Sequence, residues 1–283
     1  MIVLDGGLAT ELEARGHDLS DDLWSARLLA DDPDAIVGVH EAFFRAGARI
    51  ATTASYQASF AGFAARGFDR REAAALLSRS VALARKARDR VGGQRWVAAS
   101  VGPYGATLAD GAEYRGRYGL TVAELTAFHR PRAEILAAAG PDLLALETVP
   151  DVDEAVAMLA AIDGLGVPAW LSYTIAGERT RAGQSLEEAF AVAAGDDRIV
   201  AVGVNCCDPA DAARAIPVAR AISGKPVVAY PNSGEHWDAG ARRWHGLSRF
   251  APATLADADY AGGCCRVGPA DIARLARRYA PSR

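Results

Sequence analysis

Short apolar or β-branched runs alternate with stretches of helical spacing along the whole sequence. No other feature constrains the fold as much. Eight runs read as strands, at residues 2–4, 49–53, 96–101, 142–147, 169–174, 199–205, 227–230 and 260–263. Most lack clean period-two alternation, the mark of strands covered on both faces in a parallel sheet. Between them, residues 34–46 carry Ile36, Val39, Phe43 and Phe44 at helical spacing, and residues 71–91 carry Leu76, Leu77, Val81 and Leu83. Residues 151–161 and 269–279 read as helices too, and 185–194 opens with a capping-box pair, Ser185 and Glu188. Pro131 and Pro217 are expected to start or kink helices, because proline deep inside one removes a hydrogen bond and clashes. Eight strand–helix alternations in 283 residues point to one TIM-type (β/α)8 barrel over residues 1–283, with no linker, internal repeat or low-complexity tract. The Gly- and Tyr-rich segment 103–121 reads as a long loop after the third strand.

Charge and residue choice remove several function classes. With 31 basic against 35 acidic residues, the chain lacks the basic surplus of a nucleic-acid protein. Its densest basic stretch, Arg85, Lys86, Arg88 and Arg90, has helical spacing and reads as a solvated helix face. No apolar run approaches the ~20 residues that span a bilayer. Residues 1–7 do not resemble a signal peptide. A cytoplasmic protein is expected, without nucleic-acid or membrane partners and with its oligomeric state open. Lys86 falls in a helix and Lys225 ahead of the seventh strand, so no lysine is placed for Schiff-base chemistry. None of His17, His40, His129, His236 and His245 ends a predicted strand, and neither a P-loop nor a GxGxxG turn occurs.

Barrel active sites lie at the C-terminal ends of the strands, and the unusual residues of this chain gather there. The four cysteines form two adjacent pairs, Cys206-Cys207 and Cys264-Cys265, ending the sixth and eighth strands on either side of the seventh. One free cysteine is an ordinary small buried hydrophobe, but four at two strand ends indicate a site. Three thiolates from distant strands, with a fourth position left for substrate, suit a catalytic zinc. The spacing does not decide between Cys206 and Cys207. Asp5 ends the first strand and Glu147 the fourth. Two acids across a barrel mouth would hold an ammonium group, and the N–H groups of Gly6 and Gly7 a carboxylate. Tyr56, Tyr104, Tyr114, Tyr118, Trp237 and Trp244 fall in rim loops, either packing them down or facing a cation.

These residues resemble the homocysteine S-methyltransferase family. The matching segments are DGGLAT (5–10), LWSARLL (23–29), TTASYQASFAGF (52–63), SVGPYGA (100–106), DGAEYRGRYG (110–119), FHRPR (128–132), LETVPD (146–151), GVNCCDP (203–209), YPNSGE (230–235) and GGCCRVGP (262–269). SYQA with the tyrosine-rich loop favours the branch that uses sulfonium donors. The resemblance implies a (β/α)8 barrel with zinc on Cys206, Cys264 and Cys265, and Cys207 as a bystander. It implies that Asp5, Gly6 and Glu147 hold the amino-acid end of L-homocysteine, and that Tyr56 and loop 103–121 face the methyl donor. Gly7, Thr53, Asn205 and Asn232 complete the expected substrate contacts. The expected reaction is methyl transfer from S-methylmethionine or S-adenosylmethionine to the homocysteine thiolate, giving L-methionine. A sulfonium leaves as a neutral thioether, so no general acid is required. Competing readings are a selenocysteine acceptor, a metal-free barrel enzyme holding phosphate on its glycine loops, and a non-catalytic zinc–thiolate protein.

Overall fold

All eight predicted strands form, with ends shifted by at most two residues: β1 (Ile2–Val3), β2 (Ile50–Thr52), β3 (Trp96–Val101), β4 (Leu143–Val149), β5 (Ala169–Tyr173), β6 (Ile199–Asn205), β7 (Val227–Tyr230) and β8 (Tyr260–Ala261). The computed structural model describes residues 1–20, 23–238 and 243–280, with backbone alone for 236–238 and 243–244. The strands pair in parallel in the order β2-β3-β4-β5-β6-β7-β8-β1. A parallel bridge between Leu4 and Ile50 joins the two ends of that sheet. Asp5 N–H donates to the Ile50 carbonyl at 3.0 Å and Arg49 N–H to the Val3 carbonyl at 2.7 Å, which closes the barrel.

Helices α1 (Leu8–Ala14), α2 (Pro33–Ala46), α3 (Arg70–Val91), α4 (Val122–Ala138), α5 (Val152–Ala161), α6 (Leu186–Ala191), α7 (Pro209–Ser223) and α8 (Pro269–Arg278) surround it. Local chemistry sets their ends. Asp32 caps α2 ahead of Pro33 by accepting the Ala35 N–H, and Gly47 ends it at φ +111°. Two-way capping boxes form at Asp69 with Glu72 and at Thr121 with Glu124. At Ser185 the described bond runs one way, from Glu188 N–H to the serine hydroxyl. Of the two expectations for Pro131 and Pro217, that they start or kink helices, the first does not hold, since both lie inside α4 and α7. The seventh crossover corrects another: it carries a short 3-10 turn, Pro252–Leu255, where an α-helix belongs in the ideal alternation.

Two apolar layers explain why the strands lack a simple hydropathy alternation. Leu4, Ile50, Ala98, Leu143, Ala145, Trp170, Ala201, Val228 and Tyr230 cluster inside the barrel. Their neighbours Val97, Ala99, Leu144, Leu171, Val202 and Ala229 pack outward among Phe43, Phe44, Leu77 and Ile216 of the helices. Each buried leucine or valine of this layer contributes roughly 2 kcal/mol. The basic run of α3 lies on its outer face, where Lys86 pairs with Asp34 at 3.0 Å and Arg90 with Glu41 at 3.1 Å. Among the described residues, no helix is long and apolar enough to cross a membrane.

Candidate active site

Toward the C-terminal ends of the strands the inward series turns from apolar to polar. Ala98 is followed two residues on by Ser100, Ala145 by Glu147, and Trp170 by Ser172, while the sixth strand ends in Asn205. All four polar residues are buried, and they bond to one another across the mouth. The Glu147 carboxylate accepts from the Ser100 hydroxyl and, at 3.0 Å, from the Tyr230 hydroxyl. Ser172 Oγ lies 2.7 Å from Tyr230 Oη and donates to Asn205 Oδ1 at 2.8 Å. On the far side Asp5, 4% exposed, accepts the Thr52 N–H at 2.8 Å and the Thr52 hydroxyl at 3.2 Å. Burial pushes the Asp5 carboxyl up to about 8, with a smaller contribution from the Glu147 charge. Burial likewise pushes Glu147 up to about 7. Among the described residues neither acid has an ion-pair partner. Such a pair is poised for an incoming cation.

Three sulfurs converge beside them. The Sγ atoms of Cys206, Cys264 and Cys265 lie within 4.8 Å of one another, and those of Cys206 and Cys265 are 3.9 Å apart. All are free thiols. Cys206 is buried at the end of β6, whereas Cys264 and Cys265 are half-exposed. Hydrogen bonds from Cys206 and Cys264 hold the Cys265 thiol well below its usual range, and those that Cys264 makes with Cys206 and Cys265 push Cys264 up. Backbone geometry brings Cys206 into this group: φ is +51°, a left-handed conformation that L-residues adopt at some cost. That turn breaks the strand alternation, and Cys207 packs instead into the helix-facing core. The Tyr114 hydroxyl points to Cys206 Sγ at 3.8 Å, and Tyr56, packed edge-on against Trp24 at 6.5 Å, lies over the same mouth.

A family model described as Homocysteine S-methyltransferase matches residues 2–279. The chain belongs to that family. It is 46% identical to the homocysteine S-methyltransferase of Escherichia coli, over 98% of this chain and 95% of that protein. It is 40% identical to homocysteine S-methyltransferase YbgG of Bacillus subtilis, over 98% and 93%. Among solved structures, the Escherichia coli homocysteine methyltransferase MmuM in its metallated form superposes with a TM-score of 0.88, at 45% identity over 98% of this chain and 96% of the other. The apo form of MmuM superposes less closely, with a TM-score of 0.77.

In this homocysteine S-methyltransferase several expected contact residues have structural partners of their own. Asn205 is fully buried and tied at both ends, accepting the Thr148 N–H and donating to the Thr148 hydroxyl, each at 2.7 Å. Asn232 Oδ1 accepts the Cys265 N–H at 3.1 Å, so it shapes the cysteine turn. Thr53 bonds Ser55 at 2.7 Å and the Ser100 N–H at 3.0 Å, while its neighbour Thr52 serves Asp5. Gly7 N–H donates to the Val267 carbonyl at 2.9 Å, which corrects the expectation that it is free for a carboxylate. Gly6 is needed for space: a Cβ there would stand 2.4 Å from that same carbonyl.

The rim aromatics divide as well. Tyr114 points to the sulfurs, and Tyr56 lies close enough to feel the Cys206 charge. Tyr104 packs on Tyr118 and Phe128, at 5.2 and 5.0 Å, and pins the loop. Trp237 and Trp244 have side chains outside the described residues. Sequence reasoning missed Ser100, Ser172 and Tyr230, although the period-two continuation of β3, β5 and β7 marks them. It also missed Glu113, whose carboxyl burial pushes up to about 7 and whose Oε2 has no described partner.

Proposed function

We propose that the protein transfers a methyl group from a sulfonium donor, S-methylmethionine or S-adenosylmethionine, to the sulfur of L-homocysteine, giving L-methionine. The observation that carries this reading is the meeting of three thiols with two unpaired buried carboxylates at one barrel mouth. The donor set is what a catalytic zinc takes, three thiolates of a tetrahedron, and Cys206, Cys264 and Cys265 would hold it. Bound zinc supplies deprotonation of an incoming thiol at neutral pH, where a free thiol of pKa near 8.5 is mostly protonated.

The protein's own residues do the rest. Asp5 and Glu147 bind the homocysteine ammonium and fix the direction of its side chain toward the sulfurs. Tyr56 and Tyr114 cover the cysteines, exclude water and offer aromatic faces to the cationic donor. The bond from methyl carbon to donor sulfur breaks as the bond to homocysteine sulfur forms, and the donor departs as a neutral thioether. No side chain need donate a proton to the leaving thioether. Rate comes from an ionised nucleophile and from alignment.

The test is a parallel assay of zinc-loaded protein with L-homocysteine and each sulfonium donor, with metal content measured alongside. About one zinc per chain and turnover with at least one donor are expected. Cys264→Ser should lose both. Undiminished turnover after complete removal of the metal would defeat the reading.

A further inference from the structure

Behind the donor-facing loops lies a buried charged cluster that the reaction itself does not use. Arg132 on α4 is 1% exposed, and no described hydrogen bond joins it to a side chain of the mouth. Its guanidinium donates to three main-chain carbonyls: Gly102 at 3.0 Å, Tyr56 at 3.0 Å and Ser55 at 3.4 Å. Those carbonyls belong to the loops that leave β2 and β3. Next to it, Glu154 on α5 is fully buried and gathers three donors. It accepts the Tyr104 N–H at 2.6 Å, the Tyr118 hydroxyl at 3.2 Å and His129 Nε2 at 3.0 Å. Tyr104 and Tyr118 bracket the segment that carries Glu113 and Tyr114 over the cysteines. Burying ionised groups is costly, and apolar packing of the same volume is often more stable. A guanidinium that satisfies backbone carbonyls of two loops at once does what apolar packing cannot: it fixes their relative positions.

The homocysteine side of the mouth is held differently. Asp5 and Glu147 are anchored by strand residues, Thr52, Ser100 and Tyr230. The two supports touch at Ser55, whose carbonyl Arg132 holds and whose hydroxyl donates to the Ser100 carbonyl at 2.7 Å, but the bonds to the two carboxylates themselves come from strand residues.

We infer that Arg132 and Glu154 are positioning residues that set the donor side of the mouth, by locking the Tyr56 turn and the 103–121 loop in register with the cysteines. The inference rests on the methyl-transfer reading and adds which residues govern affinity for the sulfonium substrate. The experiment uses the zinc-loaded full chain with Arg132→Lys, Glu154→Gln and the milder Tyr118→Phe. A lysine ammonium cannot reach three carbonyls in the fixed fork of a guanidinium. For the first two variants the donor KM should rise about ten-fold, with kcat reduced, while the calorimetric Kd for homocysteine stays within about two-fold. For Tyr118→Phe a donor KM increase of about three-fold is expected, and this variant decides if the others do not fold.

Hydrogen exchange gives a second readout that needs no turnover. Amides of 103–121 should lose protection in the variants while those of β3 and β4 keep theirs. A homocysteine Kd that rises in step with the donor KM, or a donor KM unchanged in a folded variant, overturns the inference. If the unsubstituted protein accepts no sulfonium donor, the methyl-transfer reading fails. Unchanged protection of 103–121 then separately shows whether the latch fails too.

Discussion

Two acids that ordinarily ionise near pH 4 are held up to about 7 and 8 at Glu147 and Asp5, by removal from water. Such groups stabilise the folded, ligand-free chain fully below their unfolded pKa values, and that stability is lost as the pH rises through the folded ones. Unfolding free energy of ligand-free protein should therefore fall between about pH 4 and about pH 8, by roughly 3 kcal/mol for Glu147 alone. Urea titrations across that range check it, and Glu147→Gln should flatten the slope. On the proposed reading a ligand ammonium would reverse the effect by ionising the pair. Homocysteine binding at pH 7 should then release protons from these groups, visible by calorimetry in buffers of different ionisation enthalpy. Glu147→Gln should weaken homocysteine by about ten-fold or more, since a charge-assisted contact is lost. The position of both acids at the strand ends was legible in the sequence, and Glu147 stood out because a charge ending an apolar strand must be paired or solvated. Thr52 was not: period two places it inward, yet only the closed barrel shows that Asp5, 47 positions away, is its partner.

At the level of strands and helices, the pattern of apolar runs located every barrel strand. Their ends are harder to read, because β4 continues past Glu147 to Val149. Proline left two alternatives open, a helix start or an internal kink, and the structure removes the first: α4 and α7 gain enough from packing to absorb an internal proline. The glycine of GVNC is a strand residue whose need cannot be seen in one dimension. At Gly203 in β6 an added Cβ would stand 1.8 Å from the Val228 carbonyl of β7. Backbone cannot retreat as a side chain can, so Gly203→Ala should destabilise by about 3 kcal/mol or more, or prevent soluble expression. Thermal unfolding decides, with Asp69→Ala as a contrast. That substitution removes the exposed two-way cap of α3, whose described bonds involve no residue of the site, and should cost about 1 kcal/mol with kcat unchanged.

Across the whole molecule, the apolar layers and the three clustered sulfurs occupy separate zones. Neither core cluster contains Cys206, Cys264 or Cys265; of the cysteines only Cys207 belongs to one. Chelation should thus abolish turnover while leaving the far-ultraviolet dichroism unchanged, and the melting temperature should drop only by the binding free energy of the ion. Loss of secondary structure on chelation would contradict this. The zoning also sets what a sequence can reveal. Barrel architecture and rim residues follow from local patterns, whereas the support behind the rim, as in Arg132 and Glu154, joins segments that only the folded chain brings together. The sulfur cluster spans 59 positions between Cys206 and Cys265 and draws on two strands that flank a third. During synthesis, which runs from the N-terminus, the earlier cysteines emerge well before their partners. A nascent chain thus offers at most an isolated vicinal dithiol, and the three-sulfur group exists only once the last strand has docked, so capture of an ion there would report that the barrel has been finished.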